Sequence, residues 1–540
     1  MYGRLTQLAV VVAVAVMVAL AFWQHWHVLA ASPYPVGIDG YFYPTQLRSL
    51  LEHGTLQYPS SPFTFWFMAP FAAATDPITG AKLGAALGTA LIAVPAYGVG
   101  ARLGDSRGAG LLAAAVASAS ASSAYLPLEF VKQGLGLTVA LTALWCFVRL
   151  FDQPTRTRAI VAAVAFVVTL LTHKLAAGVV VAIAAPVAIV ELRARLRGRR
   201  LIYLVVACAA LALVLVILGL VAPQRFVSPA DLALVGKLFT RDAHWAAPAL
   251  VTPHLVLRFG NEALVGGVVA LVAITVLVAQ SRGPGWQPSR MWWVVLAIPI
   301  AAIWGIRKLA TLHQSETLPV AKIHGARSST AIMAWIVAGF GLVIALPWLD
   351  VTDPQGLGFR LRVAAFVPLA LSAAIVARGL LAWAAPYWRD GILATVAAAL
   401  VTLAMQAPRT EGEVLTHPAL AAAVMAATDQ IPSNATVIVP ERHILFMVAW
   451  YTRAPVSLRP EPIPYAQRVR LFGLAFIHGP SSPLDHALDA ARRDPAVVAP
   501  IGLHSGHRNG LVLVTEPTWD WLLAHLPPRD HDEFAAWPTI

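Results

Sequence analysis

Asp39 stands between Gly37 and Gly40 in the stretch ASPYPVGIDGYFYPTQLRSLLEHGTLQYPSSP (31–62), just beyond the first apolar run, and Tyr41, Tyr43 and Pro44 follow it. Glycine tolerates strained dihedrals and proline fixes its own, so this acid sits on bent backbone. A carboxylate positioned there can take a proton from a hydroxyl as a general base, for a factor of about 10² to 10⁴; its alternative is to cap the following helix or make a turn. A second acid, Glu129 in YLPLEFVKQG (125–134), either orients a reactant and assists Asp39 or is a loop acid paired with Lys132. Arg360, Arg362, Lys132 and Lys174 are the cations near span ends that suit a phosphate group. An arginine fork matches phosphate geometry and stabilises developing negative charge. Cations at span ends also snorkel to headgroups, which is the alternative for each. His173, in LLTHKLAA where two apolar pieces meet, either hydrogen-bonds a helix end, the favoured reading, or touches a substrate.

These residues need elements to hold them. Pro44 fits a first helical turn, Leu47, Leu50 and Leu51 fall at i, i+3 and i+4, and Gly54 supplies a stop, which predicts a short amphipathic helix after Asp39. One apolar stripe wide, it suits the water–lipid boundary.

The chain has 540 residues, of which 58% are hydrophobic and 12% charged. Soluble proteins carry about 25% charged residues, so this is the composition of a polytopic α-helical membrane protein. The net charge of +12 lies in short loops between apolar runs, as anionic lipid and the positive-inside rule produce, and no basic run is interleaved with aromatics. That distribution excludes nucleic acid as a partner and points to membrane lipid. Cys146 and Cys208 lie inside apolar runs, which argues against a disulfide framework or a cysteine metal site.

The first apolar run, Leu8 to about Ala30, is too long for a signal-peptide core and is expected to remain as a span. A crossing helix needs about 20 apolar residues. Further spans are expected near 78–101, 108–125, 134–152, 159–172, 175–192, 201–222, 263–281, 291–305, 331–350, 361–384 and 391–406, giving eleven to thirteen in all because the short pieces and the basic loop 306–330 leave the topology open. Arg4, Arg102, Arg107, Arg149, Arg156, Arg158 and the run ELRARLRGRR (191–200) occupy every second loop. The positive-inside rule turns those loops to the cytoplasm and the loops bearing Asp39, 125–134 and His173-Lys174 outward. Trp292 and Trp293 read as interfacial anchors, and Trp23, Trp26 and Trp66 lie where a ring can stack on a sugar or a lipid. From about 408 the pattern turns polar and proline-rich: a helix-like stretch at 417–430 and apolar runs at 435–440, 474–479 and 510–517 predict a small C-terminal α/β domain. The expected domains are therefore a helical membrane domain at 1–407, including the loop 31–62, and a soluble domain at 408–540.

The pattern IDGYFYPTQLRSLLEHGTL, then YPSSPFTFWFMAPF, resembles the first external loop of the membrane-embedded GT-C glycosyltransferases, the group of protein O-mannosyltransferases, aminoarabinose transferases and oligosaccharyltransferases. LPLEF, GFRLRVAAFVPLALSAAIVARGL and AWYTRAP continue the likeness over most of the chain in layout. The resemblance implies a GT-C-like fold and transfer of a sugar carried on polyprenyl phosphate, at the outer face of a bacterial inner membrane, with inversion, to a glycan, lipid or protein acceptor. In that reading Asp39 is the candidate base and Glu129 orients the acceptor or assists it; Arg360, which matches the family's late arginine in position, leads the candidate substrate contacts, with Arg362, Lys132, His173, Lys174, Tyr41 and Tyr43. Relatives that use pyrophosphate donors need metal and several acids. Asp39 has no paired acid next to it and a cation needs more oxygen ligands, so a monophosphate donor used without metal or other cofactor is expected.

Two other classes compete. A transporter or flippase of a lipid-linked substrate usually carries ionisable residues at mid-membrane and related halves; here charge crowds the outer loops and no repeat is visible. A scaffold that binds the lipid carrier without turnover is the third.

Overall fold

The computed structural model describes residues 2–37, 39–195, 228–243, 259–281, 327–353, 356–381 and 385–406, with shorter pieces within 206–221 and 421–515. The chain divides into two compact units, Met1–Val28 with Pro59–Thr64 and Ala85–Thr410, and Leu29–Tyr58 with Phe65–Gly84 and Glu411–Ile540. This differs from a boundary at 407: the loop that bears Asp39 falls with the C-terminal residues.

The first unit is helical. In chain order it holds α1 (Tyr2–Ala30) up to Val28, the end of α4 (Pro77–Ala90; α2, Phe42–His53, and most of α3, Phe63–Ala74, belong to the other unit), α5 (Ala93–Leu103), α6 (Arg107–Ser118), α7 (Ala121–Glu129), α8 (Val131–Asp152), α9 (Arg156–Thr172) and α10 (Lys174–Arg195). There follow α11 (Pro229–Gly236), α12 (Phe259–Ser281), α13 (Arg327–Ala345), α14 (Leu357–Val363), α15 (Phe366–Leu380) and α16 (Pro386–Gln406). Among the described residues five helices are long and apolar enough to cross a membrane, or seven if each bent pair is one span. They make this an integral membrane protein. The expected spans at 201–222 and 291–305 fall largely or wholly outside the described residues.

Two expectations of position change. The segment 125–134 is not a loop: α7 runs to Glu129, Phe130 alone breaks the helix at φ −124°, ψ 53°, and α8 begins at Val131. The expected span 108–125 is α6 and α7, bent by 47°. The Ser120 hydroxyl accepts the Ser123 N–H and restarts the helix after the bend. Likewise Arg360 and Arg362 lie in the short α14, which meets α15 at 42°.

The core of this unit is alanine-rich, with Ala96, Ala117, Ala140, Ala143, Ala184, Ala273 and Ala338 among its buried residues. Helices in lipid gain nothing from water exclusion between them, so small residues that let backbones approach supply the packing. Gly136 is one such contact: a Cβ there would lie 2.7 Å from that of His173.

The second unit holds α2 (Phe42–His53), α3 (Phe63–Ala74) from Phe65, most of α4, α17 (Arg442–Tyr451) and five strands. The predicted helix after Asp39 is α2, and Gly54 ends it in the left-handed region at φ 72°, its N–H bonded to the Leu50 carbonyl. The strands β1 (Thr436–Ile438), β2 (Val456–Ser457), β3 (Leu471–His478), β4 (Ile501–His504) and β5 (Asn509–Thr515) form one mixed sheet in the order β2-β1-β3-β5-β4. β1 pairs parallel with β2 and β3, β5 antiparallel with β3 and β4, and Ala475 faces Val512 in the register. Most of 417–430 lies outside the described residues.

Candidate active site

In the first unit the breaks at Phe130 and His173 and the short α14 bring four of the sequence-derived residues to one place. Gln133 at the start of α8 donates from Nε2 to the Arg360 carbonyl at 2.8 Å, and the Arg360 guanidinium lies 5.3 Å over the Phe130 ring. Phe130 in turn packs on Phe359, with centroids 6.0 Å apart. Lys132 Nζ reaches the Ser60 hydroxyl at 3.1 Å. Lys174 Nζ bonds Asp231 Oδ2 at 2.8 Å.

His173 sits between α9 and α10. Its N–H bonds the Thr169 carbonyl, closing α9, while its ring Nδ1 is buried without a partner among the described residues. Burial pushes the imidazole down to about 3, and the charges of Arg360, Lys132 and Lys174 push the same way. A neutral imidazole near three cations follows: the ring has no charge to add, and of the three Lys174 is also paired with Asp231. Such a cluster at the end of an apolar bundle suits a group with negative charge and a hydrophobic tail.

Asp231 is a residue that sequence reading passed over. It closes a capping box at the start of α11, accepting from the Ser228 N–H and hydroxyl at 2.8 Å each. Those donors and Lys174 hold its carboxyl below the usual range against the opposing effect of burial. The signal was present as Ser-Pro-Ala-Asp ahead of an apolar run.

Glu262 was also missed. Fully buried at the head of α12, it accepts from the Ser120 hydroxyl at 2.7 Å, the Ala121 N–H at 2.5 Å, the Ser122 N–H at 3.2 Å and the Ser122 hydroxyl. It occupies the anion position at the N-terminus of α7, whose far end carries Glu129. An acid among apolar residues is rare enough to be the signal.

Arg362 has a different setting. Two residues from Arg360 on a helix it turns away, and its buried guanidinium donates from Nη2 to the Leu346 carbonyl at 2.8 Å, just past the end of α13. Glu129 ends α7 half-buried.

In the second unit Asp39 is half-buried on the turn before α2; its carbonyl accepts the Phe42 N–H at 2.9 Å, and Gly40 N–H bonds the carbonyl of Gly37, itself at φ 88°. Tyr41 and Tyr43 are buried beside it. The Tyr41 hydroxyl lies 2.7 Å from that of Tyr451, and burial, then this bond, raises it well above the ordinary phenol range. Tyr43 packs on Phe42 and Phe65. Arg48 caps α17, donating to the Trp450 and Ala449 carbonyls at 2.7 and 2.8 Å, with its guanidinium 4.7 Å over the Trp450 ring. The buried Gln46 clamps the loop's return, giving one bond to the Tyr58 carbonyl at 2.7 Å and taking one from its N–H at 2.9 Å. Tyr41 and Tyr43 thus hold the turn on which Asp39 stands.

Trp23 and Trp66 are each about half exposed, and Trp26 stacks on Phe22. Trp292 and Trp293 lie outside the described residues. Among the described residues no group of three or more His, Cys, Asp or Glu side chains converges on a metal position.

No protein-family model matches the chain, and no curated protein does. Among solved structures the chain is similar to ArnT from Cupriavidus metallidurans bound to undecaprenyl phosphate, with 16% identity and a TM-score of 0.45. It is similar to the same protein in the apo state with 16% identity and a TM-score of 0.46, and each match covers 94% of this chain and 98% of the other.

Proposed function

We propose that this chain is an integral membrane glycosyltransferase that moves a sugar from a polyprenyl-monophosphate donor to an acceptor hydroxyl, with inversion, at the outer face of a bacterial inner membrane. The observation that carries the reading is the gathering of Lys132, Lys174 and Arg360 around the uncharged His173 at the end of an apolar bundle. The acceptor oxygen attacks the anomeric carbon, the bond from that carbon to the phosphate oxygen breaks, and the acceptor proton passes to Asp39. The leaving lipid phosphate gains one negative charge, and the three cations stabilise that charge as it develops. Glu129 orients the acceptor, Arg362 positions α14, and Tyr41 and Tyr43 fix the turn of Asp39. No metal is required, and residues 408–540 contribute to a small α/β domain.

The test is transfer of labelled sugar from defined polyprenyl-phosphate donors by the purified full chain in lipid, with and without chelator. Chelator-resistant transfer that falls at least about a hundredfold in Asp39→Asn, the low end for a lost general base, supports the reading. Undiminished transfer by the variant contradicts it, as does movement of the lipid carrier between leaflets with no transfer, which is the transporter outcome.

A further inference from the structure

At the far end of α8 from Lys132 lies a cavity of about 300 Å³, lined by Tyr97, Gly98, Arg102, Trp145, Arg149 and Asp152 with two small apolar residues. We propose that it binds the phosphodiester headgroup of an anionic phospholipid from the opposite leaflet.

Its position follows from α8. Twenty-two residues at 1.5 Å each place the two ends about 33 Å apart, close to the thickness of a bilayer's hydrocarbon core. A cation cluster in one headgroup layer therefore puts this cavity in the other.

Its charge exceeds what the fold uses. Arg102 is matched by Asp152 at 2.6 Å. Arg149 is exposed, its guanidinium 6.0 Å from the Trp145 ring, and among the described residues no carboxylate pairs with it. The turns at this end, α5 to α6, α8 to α9 and α15 to α16, carry Arg102, Arg107, Arg149, Arg156, Arg158, Arg378 and Arg389 against Asp105, Asp152 and Asp390. They are tied together, since Asp390 Oδ1 accepts the Gly108 N–H at 3.0 Å and Arg389 donates to the Asp105 carbonyl at 3.2 Å. Of the two arginines that line the cavity, Asp152 neutralises Arg102, so the cavity keeps one net positive charge, on Arg149. That charge beside a tryptophan wall is the chemistry of a headgroup site: an arginine fork for phosphate, and an indole at the polar–apolar boundary for the glycerol. A soluble phosphate would leave the apolar wall unused.

Native mass spectrometry of the detergent-solubilised full chain, titrated with phosphatidylglycerol and with phosphatidylcholine of the same acyl chains, tests this. At least about tenfold preference for phosphatidylglycerol is expected, weakening with salt. Arg149→Gln should abolish the preference, Arg149→Lys should keep part of it, and Arg156→Gln, on the same turn but outside the cavity, should leave it intact. Equal retention of the two lipids overturns the proposal. So does an Arg149→Gln loss no larger than that of Arg156→Gln, or displacement of the lipid by inorganic phosphate at equal concentration. Should Arg149→Gln fail to fold, wild-type retention by Arg149→Lys would overturn it as well.

Discussion

Gln133 and Arg360, 227 residues apart, are joined by one hydrogen bond of 2.8 Å from the side-chain amide to the main-chain carbonyl. The bond fixes the start of α8 against α14, so that the Arg360 guanidinium extends over Phe130 beside Lys132 and His173. Gln133→Leu should remove that strut, while the Arg360 carbonyl keeps the Ala364 N–H, lowering stability by about 0.5–1.5 kcal/mol. Thermal unfolding in detergent is the measurement, and polyprenyl-phosphate affinity should fall with it because Arg360 is no longer held. An unchanged Tm would refute the role given to Gln133.

His173 sets a pH dependence. Its folded-state value, about 3, lies below the ordinary 6.5, so the folded protein binds the proton less readily than the unfolded chain. Its contribution to stability is thus complete above about pH 6.5 and is lost as pH falls from there toward 3. His173→Phe should flatten that part of the stability–pH curve. A wild-type curve without a slope attributable to His173 would mean that the ring is not buried as described.

Glu262 receives four donors in place of water, and Glu262→Leu would strand them in an apolar interior. A loss of about 3–5 kcal/mol is expected, with Glu262→Gln milder because it keeps an acceptor. Denaturation midpoints compare the two; equal, small losses would contradict the clamp on α7.

Tyr41→Phe removes the hydroxyl contact to Tyr451 and should cost about 0.5–1.5 kcal/mol. A double-mutant cycle with Tyr451→Phe isolates the pair, and strictly additive losses would show that the two hydroxyls do not interact.

Local patterns carried much of this into view from the sequence. Proline in a first turn, leucines at i, i+3 and i+4 and a closing glycine marked α2 and its end at Gly54. Apolar runs marked most of the described helices, and of the cations at their ends Lys132, Lys174 and Arg360 lie near His173 while Arg362 turns away. What local patterns do not carry is pairing over distance. Nothing near Arg362 announces that its guanidinium caps α13, nothing near Tyr41 points to Tyr451, and the helical geometry of 125–134 depends on a single break at Phe130. The grouping of residues 29–58 with the C-terminal part depends on Arg48, Phe42 and Thr45 meeting α17, contacts that span 400 residues.

The cation cluster is most directly tested by equilibrium binding of a polyprenyl phosphate to the purified chain, compared with the uncharged polyprenol of the same length. Wild type should prefer the phosphate by at least about a hundredfold, roughly the 3 kcal/mol that charge-assisted bonds supply. Arg360→Ala should lose about tenfold or more of that, with Lys132→Ala and Lys174→Ala each losing part. Equal affinity for phosphate and alcohol, or a phosphate preference untouched in all three variants, would contradict a lipid-phosphate site at His173.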